Sequence, residues 1–255
     1  MGKPQNSKNK YQQKWVPYMW PWAHPFQGKY TFWTWLYSRK FSVFYLIAIW
    51  LLLAFLGFAE RRDCDTGPWQ IVLQCNWSMW MAEYKTNFWH FMATSFTTPW
   101  LHNDFVHILF VTIFGFMFPV QSFEAQHGTR LTVFIYFFSY ILIAIFNGAL
   151  FNTLVEYWPE EPLFSHAFSR AWMGGSVGIF ALMGGLSFYS GKKWFIYSLV
   201  FVFELINYFI LGNNIYISFI HITSTSFGWI ICFVREKFKN SRWAFGGRRS
   251  LSSAS

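Results

Sequence analysis

Charged residues are scarce in this chain. Asp, Glu, Lys and Arg make up 12% of the residues, about half the share that a soluble globular domain carries. Hydrophobic residues reach 54%, and aromatic residues alone reach 24%. This deficit of charge excludes an ordinary soluble domain and indicates that a lipid bilayer surrounds most of the chain.

Acidic residues are fewer still, with 11 Asp and Glu against 20 Lys and Arg, so the formal net charge is +9. The basic residues concentrate in the first forty and the last twenty positions, beside hydrophobic segments. Such tails are typical of the cytosolic or matrix side of a membrane protein. They form no basic stripe on a soluble face, so we predict no nucleic-acid partner.

Cysteine is also sparse, with three residues in all. Cys64 and Cys75 fall in one predicted outer loop, and a disulfide between them requires an oxidising compartment. The sequence leaves open whether they are bonded.

Histidines are present, but His102, His107 and His221 lack the accompanying carboxylate or thiolate ligands of a usual metal site. We therefore predict neither a metal nor a cofactor.

Long hydrophobic segments are abundant. Each comes close to the about 20 apolar residues that a bilayer requires, and a backbone inside lipid must satisfy its own hydrogen bonds as a helix. The predicted fold class is an all-α membrane protein with a bundle of six transmembrane helices. The six segments are approximately Phe41–Ala59, Phe105–Val120, Leu131–Leu150, Met173–Ser190, Trp194–Leu211 and Ile215–Val234.

This pattern divides the chain into three regions: a basic, Trp-rich interfacial region (1–40), the six-helix membrane domain (41–235) and a basic, Ser-rich tail (236–255). An even number of spans puts both termini on one side, which the basic tails identify as cytosol or matrix. Lys192 and Lys193 fall on that side, and Glu160 falls opposite. The organelle stays open between the mitochondrial inner membrane and the secretory pathway.

Three polar residues interrupt the hydrophobic segments at comparable depth. His107, Ser176 and His221 each lie in the outer third of a segment that runs from outside to inside. Polar residues inside a membrane are costly, so each is a functional candidate. Glycines on both sides of Ser176, and Gly228 on the His221 segment, would let two helices approach closely. A serine and a histidine at such a contact are the minimum for nucleophilic catalysis.

A structural interpretation stands beside this one. Glycine-rich spans commonly serve helix packing alone, and a single membrane histidine can simply hydrogen-bond a neighbouring helix. A transporter or channel is a third class. Glu204 is the one acidic residue deep within a predicted span, and the sequence contains no relay of charged groups to accompany it.

The motifs resemble the rhomboid intramembrane serine proteases. Ser176 occupies the serine position of the family's Gly-x-Ser-Gly motif, His221 matches the histidine of its sixth helix, and His102 and His107 match its paired histidines. Further matches are Glu124 with Gly128, Trp89 with Thr94 and Phe96, and Ala181-Leu182-Met183-Gly184. The resemblance covers roughly residues 41–235.

The resemblance implies a Ser176–His221 catalytic dyad without a carboxylate. His221 would deprotonate Ser176 for attack on the transmembrane segment of a single-span membrane protein. It also implies that His102, His107 and Gly174 support the oxyanion site, and that Phe180 packs against His221.

Three positions depart from the family pattern. Val111 stands where an asparagine would help to hold the oxyanion, Val177 replaces the glycine after the serine, and His90 replaces an arginine. Loss of one oxyanion donor typically costs about 10²–10³ in rate. The leading hypothesis is therefore an intramembrane serine protease. The alternative is an inactive rhomboid-like protein that acts as a binding or structural subunit of a membrane assembly.

Overall fold

The computed structural model describes residues 31–58, 67–168, 171–190, 193–210, 212 and 214–246. This part of the chain is helical and contains no β-strand, which confirms the predicted all-α class. Twelve α-helices follow one another here, with a π-helical stretch at Val111–Val120 and a 3₁₀ turn at Thr98–Trp100. They are α1 (Phe32–Ser38), α2 (Lys40–Leu56), α3 (Trp69–Trp77), α4 (Glu83–Thr86), α5 (Phe88–Thr97), α6 (Phe105–Phe110), α7 (Gln121–His127), α8 (Thr129–Leu154), α9 (Pro162–Phe168), α10 (Ser176–Tyr189), α11 (Lys193–Phe209) and α12 (Ile215–Gly246).

Three helices of this region are long and apolar enough to cross a membrane: Phe105–His127, Thr129–Leu154 and Ile215–Lys239. The bent pair α1 and α2 would make a fourth span if it counts as one. Shorter apolar helices lie at Ser176–Tyr189 and Trp194–Phe209. A helix thus occupies each predicted hydrophobic segment, but length and composition support three or four spans and do not confirm six.

The helices do not follow the predicted boundaries of the N-terminal region (1–40) and the C-terminal tail (236–255). Residues 1–30 lie outside the described part of the chain, α1 falls within the predicted N-terminal region 1–40, and α2 begins at Lys40. At the other end, α12 runs on to Gly246, past the predicted end of the last span at Val234. No Pro or Gly interrupts the sequence between Val234 and Gly246, so nothing in the local sequence stops the helix there.

The chain bends by 81° between α1 and α2, at Arg39. The Arg39 side chain is buried, donates from Nε to Gln121 Oε1 at 2.5 Å and contacts Ser38 Oγ at 2.8 Å. A buried guanidinium needs such partners because its charge is expensive to remove from water. The bend is thereby tied to the start of α7.

Glu124 anchors the beginning of α2. Its carboxylate accepts hydrogen bonds from the backbone N–H groups of Phe41 and Ser42, both at 2.8 Å, and from Thr129 Oγ1 at 2.6 Å. The first N–H groups of a helix lack intrahelical acceptors and favour a negative charge. Gly128, at φ +86°, ends α7 and lets the chain reverse into α8. One buried carboxylate therefore joins three helices.

The long predicted outer loop, residues 60–104, is largely helical where it is described. Cys75 in α3 is disulfide-bonded, whereas Cys64 lies outside the described residues. Met79 and Trp172 pair through backbone hydrogen bonds of 3.4 and 2.7 Å. The loop is thus bound to the segment that leads into α10.

Helix α10 lies at the centre of the bundle and packs against α8, α11, α12 and the π-helical stretch. Its closest neighbour is α12. A Cβ added to Gly228 would lie 1.8 Å from the carbonyl oxygen of Ala181, and one added to Gly184 would lie 1.9 Å from that of Thr225. Backbone therefore touches backbone, as small residues permit in membrane helices. This contact brings the serine helix and the histidine helix together.

Candidate active site

Ser176 is the first residue of α10, directly after Gly174 and Gly175. Its N–H group therefore has no acceptor within the helix. Its side chain is half-buried, whereas the residues that follow it up to Leu182 are buried. The serine is therefore partly accessible at the start of α10, between buried residues on either side.

The turn before Ser176 is held from several sides. Gly174 donates its N–H to Thr98 O at 3.1 Å, and the Tyr140 hydroxyl donates to Gly174 O at 2.6 Å. The Tyr136 hydroxyl donates to Gly175 O at 3.2 Å. Gly174 has φ +106°, a backbone conformation that residues other than glycine rarely adopt. The position of Ser176 is thus set by contacts from the outer loop and α8.

Besides the positive φ, close packing of His107 requires glycine at position 174. A Cβ on Gly174 would lie 2.1 Å from His107 Cε1, so the imidazole packs directly against the glycine backbone. Asp104 accepts from the His107 backbone N–H at 2.8 Å and caps α6, which orients the first turn of that helix. His107 and Gly174, both expected to support the oxyanion site, are in contact.

His102 lies in the turn before α6, with its ring centre 5.1 Å from that of His107. It is buried, and its Nε2 is without a hydrogen-bond partner. Burial and, to a smaller extent, the neighbouring His107 lower the pKa of His102 from 6.5 to about 3, although a hydrogen bond with the Trp100 backbone acts in the opposite direction. His102 is therefore a neutral imidazole at neutral pH.

Val111 begins the π-helical stretch and is fully buried. Its Cγ1 lies 3.4 Å from where a Cβ of Gly175 would be, so Val111 packs beside the turn that precedes Ser176. A valine side chain offers no hydrogen-bond donor. The family's asparagine position is thus at the site but is apolar in this chain.

His221 is buried in α12 and faces α10. Its ring stacks on Phe180, with ring centres 4.0 Å apart and 16° between the planes. Helices α10 and α12 run in the same direction, since Phe188 lies beside Trp229 two turns further along both. Side chains lean toward the N-terminus of their own helix. The imidazole therefore leans toward the end of α10 that carries Ser176.

Ser176 and Phe180 are four residues apart, so they share one face of α10. Phe180 in turn covers His221. Within the part of the chain that the structure describes, no hydrogen bond joins Ser176 to His221. The structure thus brings the two residues to one helix contact with the hydrogen bond between them unmade. Catalytic hydrogen bonds are often long in resting enzymes and tighten with substrate.

Glu204 is a neighbour of His221 that the sequence reasoning noticed but did not place at the site. Its Oε1 lies 2.7 Å from His221 Nδ1, and its Oε2 accepts from Asn207 Nδ2 at 3.2 Å. Both Glu204 and Asn207 are buried on α11. The one available signal was an acidic residue in a hydrophobic segment, but nothing in the sequence pointed that residue toward His221. The dyad that the family resemblance implies is accompanied here by a carboxylate.

Among the residues that the structure describes, no group of three or more His, Cys, Asp or Glu side chains is arranged to hold a metal ion. Cys232, the described free cysteine, is buried against Gly185 near the opposite end of α10.

Comparison with protein-family models matched the rhomboid domain over residues 86–238, which is more than half of the chain. The chain belongs to the rhomboid family. The comparisons with curated proteins and with solved structures found no match. The matched part of this rhomboid runs from the end of α4 into α12, and so contains every site residue described above. It confirms an integral membrane protein of the rhomboid type.

Proposed function

We propose that this rhomboid is an intramembrane serine protease that cleaves the transmembrane segments of single-span membrane proteins. The observation that carries the proposal is the contact between α10 and α12, where His221 stacks on Phe180 one helical turn from Ser176. Nucleophilic catalysis by serine needs a base within hydrogen-bond reach. The proposal requires the Ser176 hydroxyl and the His221 imidazole to come within hydrogen-bond reach when substrate is bound.

In the proposed reaction, His221 Nε2 removes the proton from Ser176 Oγ as the oxygen attacks the scissile carbonyl. The tetrahedral oxyanion is held by the Ser176 backbone N–H and by His107. His221 then transfers its proton to the leaving amine, which breaks the peptide bond and leaves an acyl-enzyme. Water, deprotonated by His221, attacks the ester and releases the carboxylic acid and Ser176.

The small number of hydrogen-bond donors at the proposed oxyanion site favours a slow enzyme. Val111 cannot donate where the family has an asparagine, and loss of one such donor costs about 10²–10³ in rate. His107, packed on Gly174, and the Ser176 N–H are the remaining donors in this proposal. We expect Val111→Asn to raise kcat for cleavage of a single-span substrate in proteoliposomes, because its amide adds a donor at the family's asparagine position.

The test is cleavage of single-span substrates by the purified chain in proteoliposomes. Ser176→Ala and His221→Ala should each abolish cleavage, because the first lacks the nucleophile and the second the base. Ser176 should also react with a fluorophosphonate probe. Ser187→Ala, a buried serine on the same helix, is the matched control and should retain activity. Cleavage that persists in Ser176→Ala would overturn the proposal.

A second function is favoured by Val111 and by the unmade Ser176–His221 hydrogen bond. In it, the chain is an inactive rhomboid that binds other membrane proteins as a subunit of an assembly. Ser176→Ala would then have no effect in any assay, and the probe would not label the wild-type chain.

We propose, for either function, that both termini face the cytosol or matrix.

A further inference from the structure

Glu204 is an acidic side chain buried in the membrane part of the protein. It is 2% exposed and lies in the apolar helix α11. A carboxylate in such a position is costly and persists when it has specific partners. Its partners are His221 and Asn207, so the residue merits a functional explanation beyond helix packing.

The geometry of the pair determines which histidine nitrogen carries the proton. Glu204 Oε1 lies 2.7 Å from His221 Nδ1, and an ionised carboxylate only accepts hydrogen bonds. With Glu204 ionised, Nδ1 is the donor in this pair. The proton on Nδ1 leaves Nε2 of a neutral imidazole as the acceptor, and Nε2 is the nitrogen that the proposed mechanism uses as the base.

The orientation of the ring is constrained on a second side. Phe180 stacks on the imidazole face with ring centres 4.0 Å apart, which opposes tilting of the ring, while the bond to Glu204 opposes its rotation. Asn207 in turn holds the other carboxylate oxygen at 3.2 Å. The imidazole is thus fixed both in its plane and in the direction of its two nitrogens.

We infer that Glu204 is a positioning residue for His221 and converts the expected Ser–His dyad into a Ser176–His221–Glu204 arrangement. The inference rests on the proposed protease function. Glu204 holds the Nδ1–H tautomer and stabilises the imidazolium that forms when His221 takes the serine proton. A carboxylate serves a catalytic histidine in the same two ways in serine proteases of unrelated fold.

The test is Glu204→Gln, which keeps the size of the side chain and removes its charge. The amide that this substitution introduces can donate to Nδ1 and so favour the opposite tautomer, in which Nε2 carries the proton and cannot act as a base. We expect kcat to fall by at least about tenfold, as loss of tautomer control does in other triads. KM should stay within about twofold, because Glu204 does not touch the substrate in this proposal.

Two further variants separate positioning from packing. Tyr197→Phe removes another polar bridge between α11 and α12, the Tyr197 hydroxyl to Ser226 Oγ at 2.5 Å, and should leave kcat unchanged. Glu204→Asp keeps the charge and should retain more activity than Glu204→Gln. ¹⁵N NMR of histidine-labelled protein, with the His221 signals assigned by their loss in His221→Ala, should show Nδ1–H in wild type and Nε2–H in Glu204→Gln.

The outcomes distinguish the inference from the function on which it rests. If wild type cleaves, Ser176→Ala does not, and Glu204→Gln keeps wild-type kcat, the protease function stands and the positioning role is overturned. An equal loss in Tyr197→Phe and Glu204→Gln, with the His221 tautomer unchanged, would also overturn it. A wild-type chain that neither cleaves nor reacts with the probe would overturn both.

Discussion

His102 shows how one buried side chain makes the stability of this rhomboid depend on pH. Its pKa is lowered from 6.5 to about 3, with burial as the main cause. Below pH 6.5 the unfolded chain binds a proton at this residue that the folded chain does not. The free energy of unfolding should therefore decrease as the pH falls from about 6.5 toward 3, by up to about 1.4 kcal/mol per pH unit.

The measurement is thermal or denaturant unfolding of detergent-solubilised protein across this range, compared with His102→Gln. Other groups titrate as well, so the difference between the two slopes is the quantity to be read. Equal slopes for wild type and His102→Gln would contradict this account.

The residues of the site differ in how far the sequence could identify them. Ser176 and His221 stood out because polar residues are rare in hydrophobic segments. His107 stood out in the same way, Gly174 was named through the family resemblance, and the structure places these two residues in contact. Glu204 was noticed for the same reason as His221 but without a partner. Its hydrogen bond depends on the rotation of α11, which the sequence of that helix does not record.

Among the helices, the contact between α10 and α12 is the one on which the site depends. Gly228→Ala places a methyl group 1.8 Å from the Ala181 carbonyl oxygen, so the helices must separate. The better helix propensity of alanine, worth about 1 kcal/mol, acts in the opposite direction. Overpacking typically costs about 1–3 kcal/mol, and relief against a rigid backbone oxygen is difficult. We expect a net destabilisation and loss of the proposed activity.

Unfolding of Gly228→Ala in detergent micelles measures the loss of stability, and cleavage of substrate measures the loss of activity. Val234→Ile also enlarges a side chain of α12, but on an exposed face, and should change neither. A Gly228→Ala protein as stable and as active as the Val234→Ile control would show that the backbone contact is dispensable.

The helix Phe105–His127 was predicted with a shorter extent, ending at Val120. In the structure it continues through the π-helical stretch, which contains Pro119, into α7. Gln121, Ser122 and Glu124 are buried there by their partners, whereas hydropathy treats them as polar and ends the segment. Tertiary contacts that satisfy polar groups thus extend a helix beyond its apolar run.

The topology of the whole chain depends on how α1 and α2 cross the membrane. If they provide one crossing and each of the other five apolar helices provides another, the two termini share a side. A re-entrant α1–α2 pair would separate them. The basic tails favour a shared side, so epitope tags at both termini should have the same protease accessibility in sealed vesicles. A tag inserted at Glu160 should show the opposite accessibility, and terminal tags on different sides would contradict the six-crossing topology.

Composition and motif spacing were sufficient for an all-helical membrane protein of the rhomboid family and for Ser176 and His221 as its candidate pair, because these are properties of local sequence. The bend at Arg39, the anchoring of α2 by Glu124 and the pairing of Glu204 with His221 came from packing between distant segments. In a membrane helix the lipid-facing and protein-facing sides are both apolar, so periodicity does not reveal which side meets a neighbour. The direction in which a rare polar side chain points is consequently settled when the helices assemble.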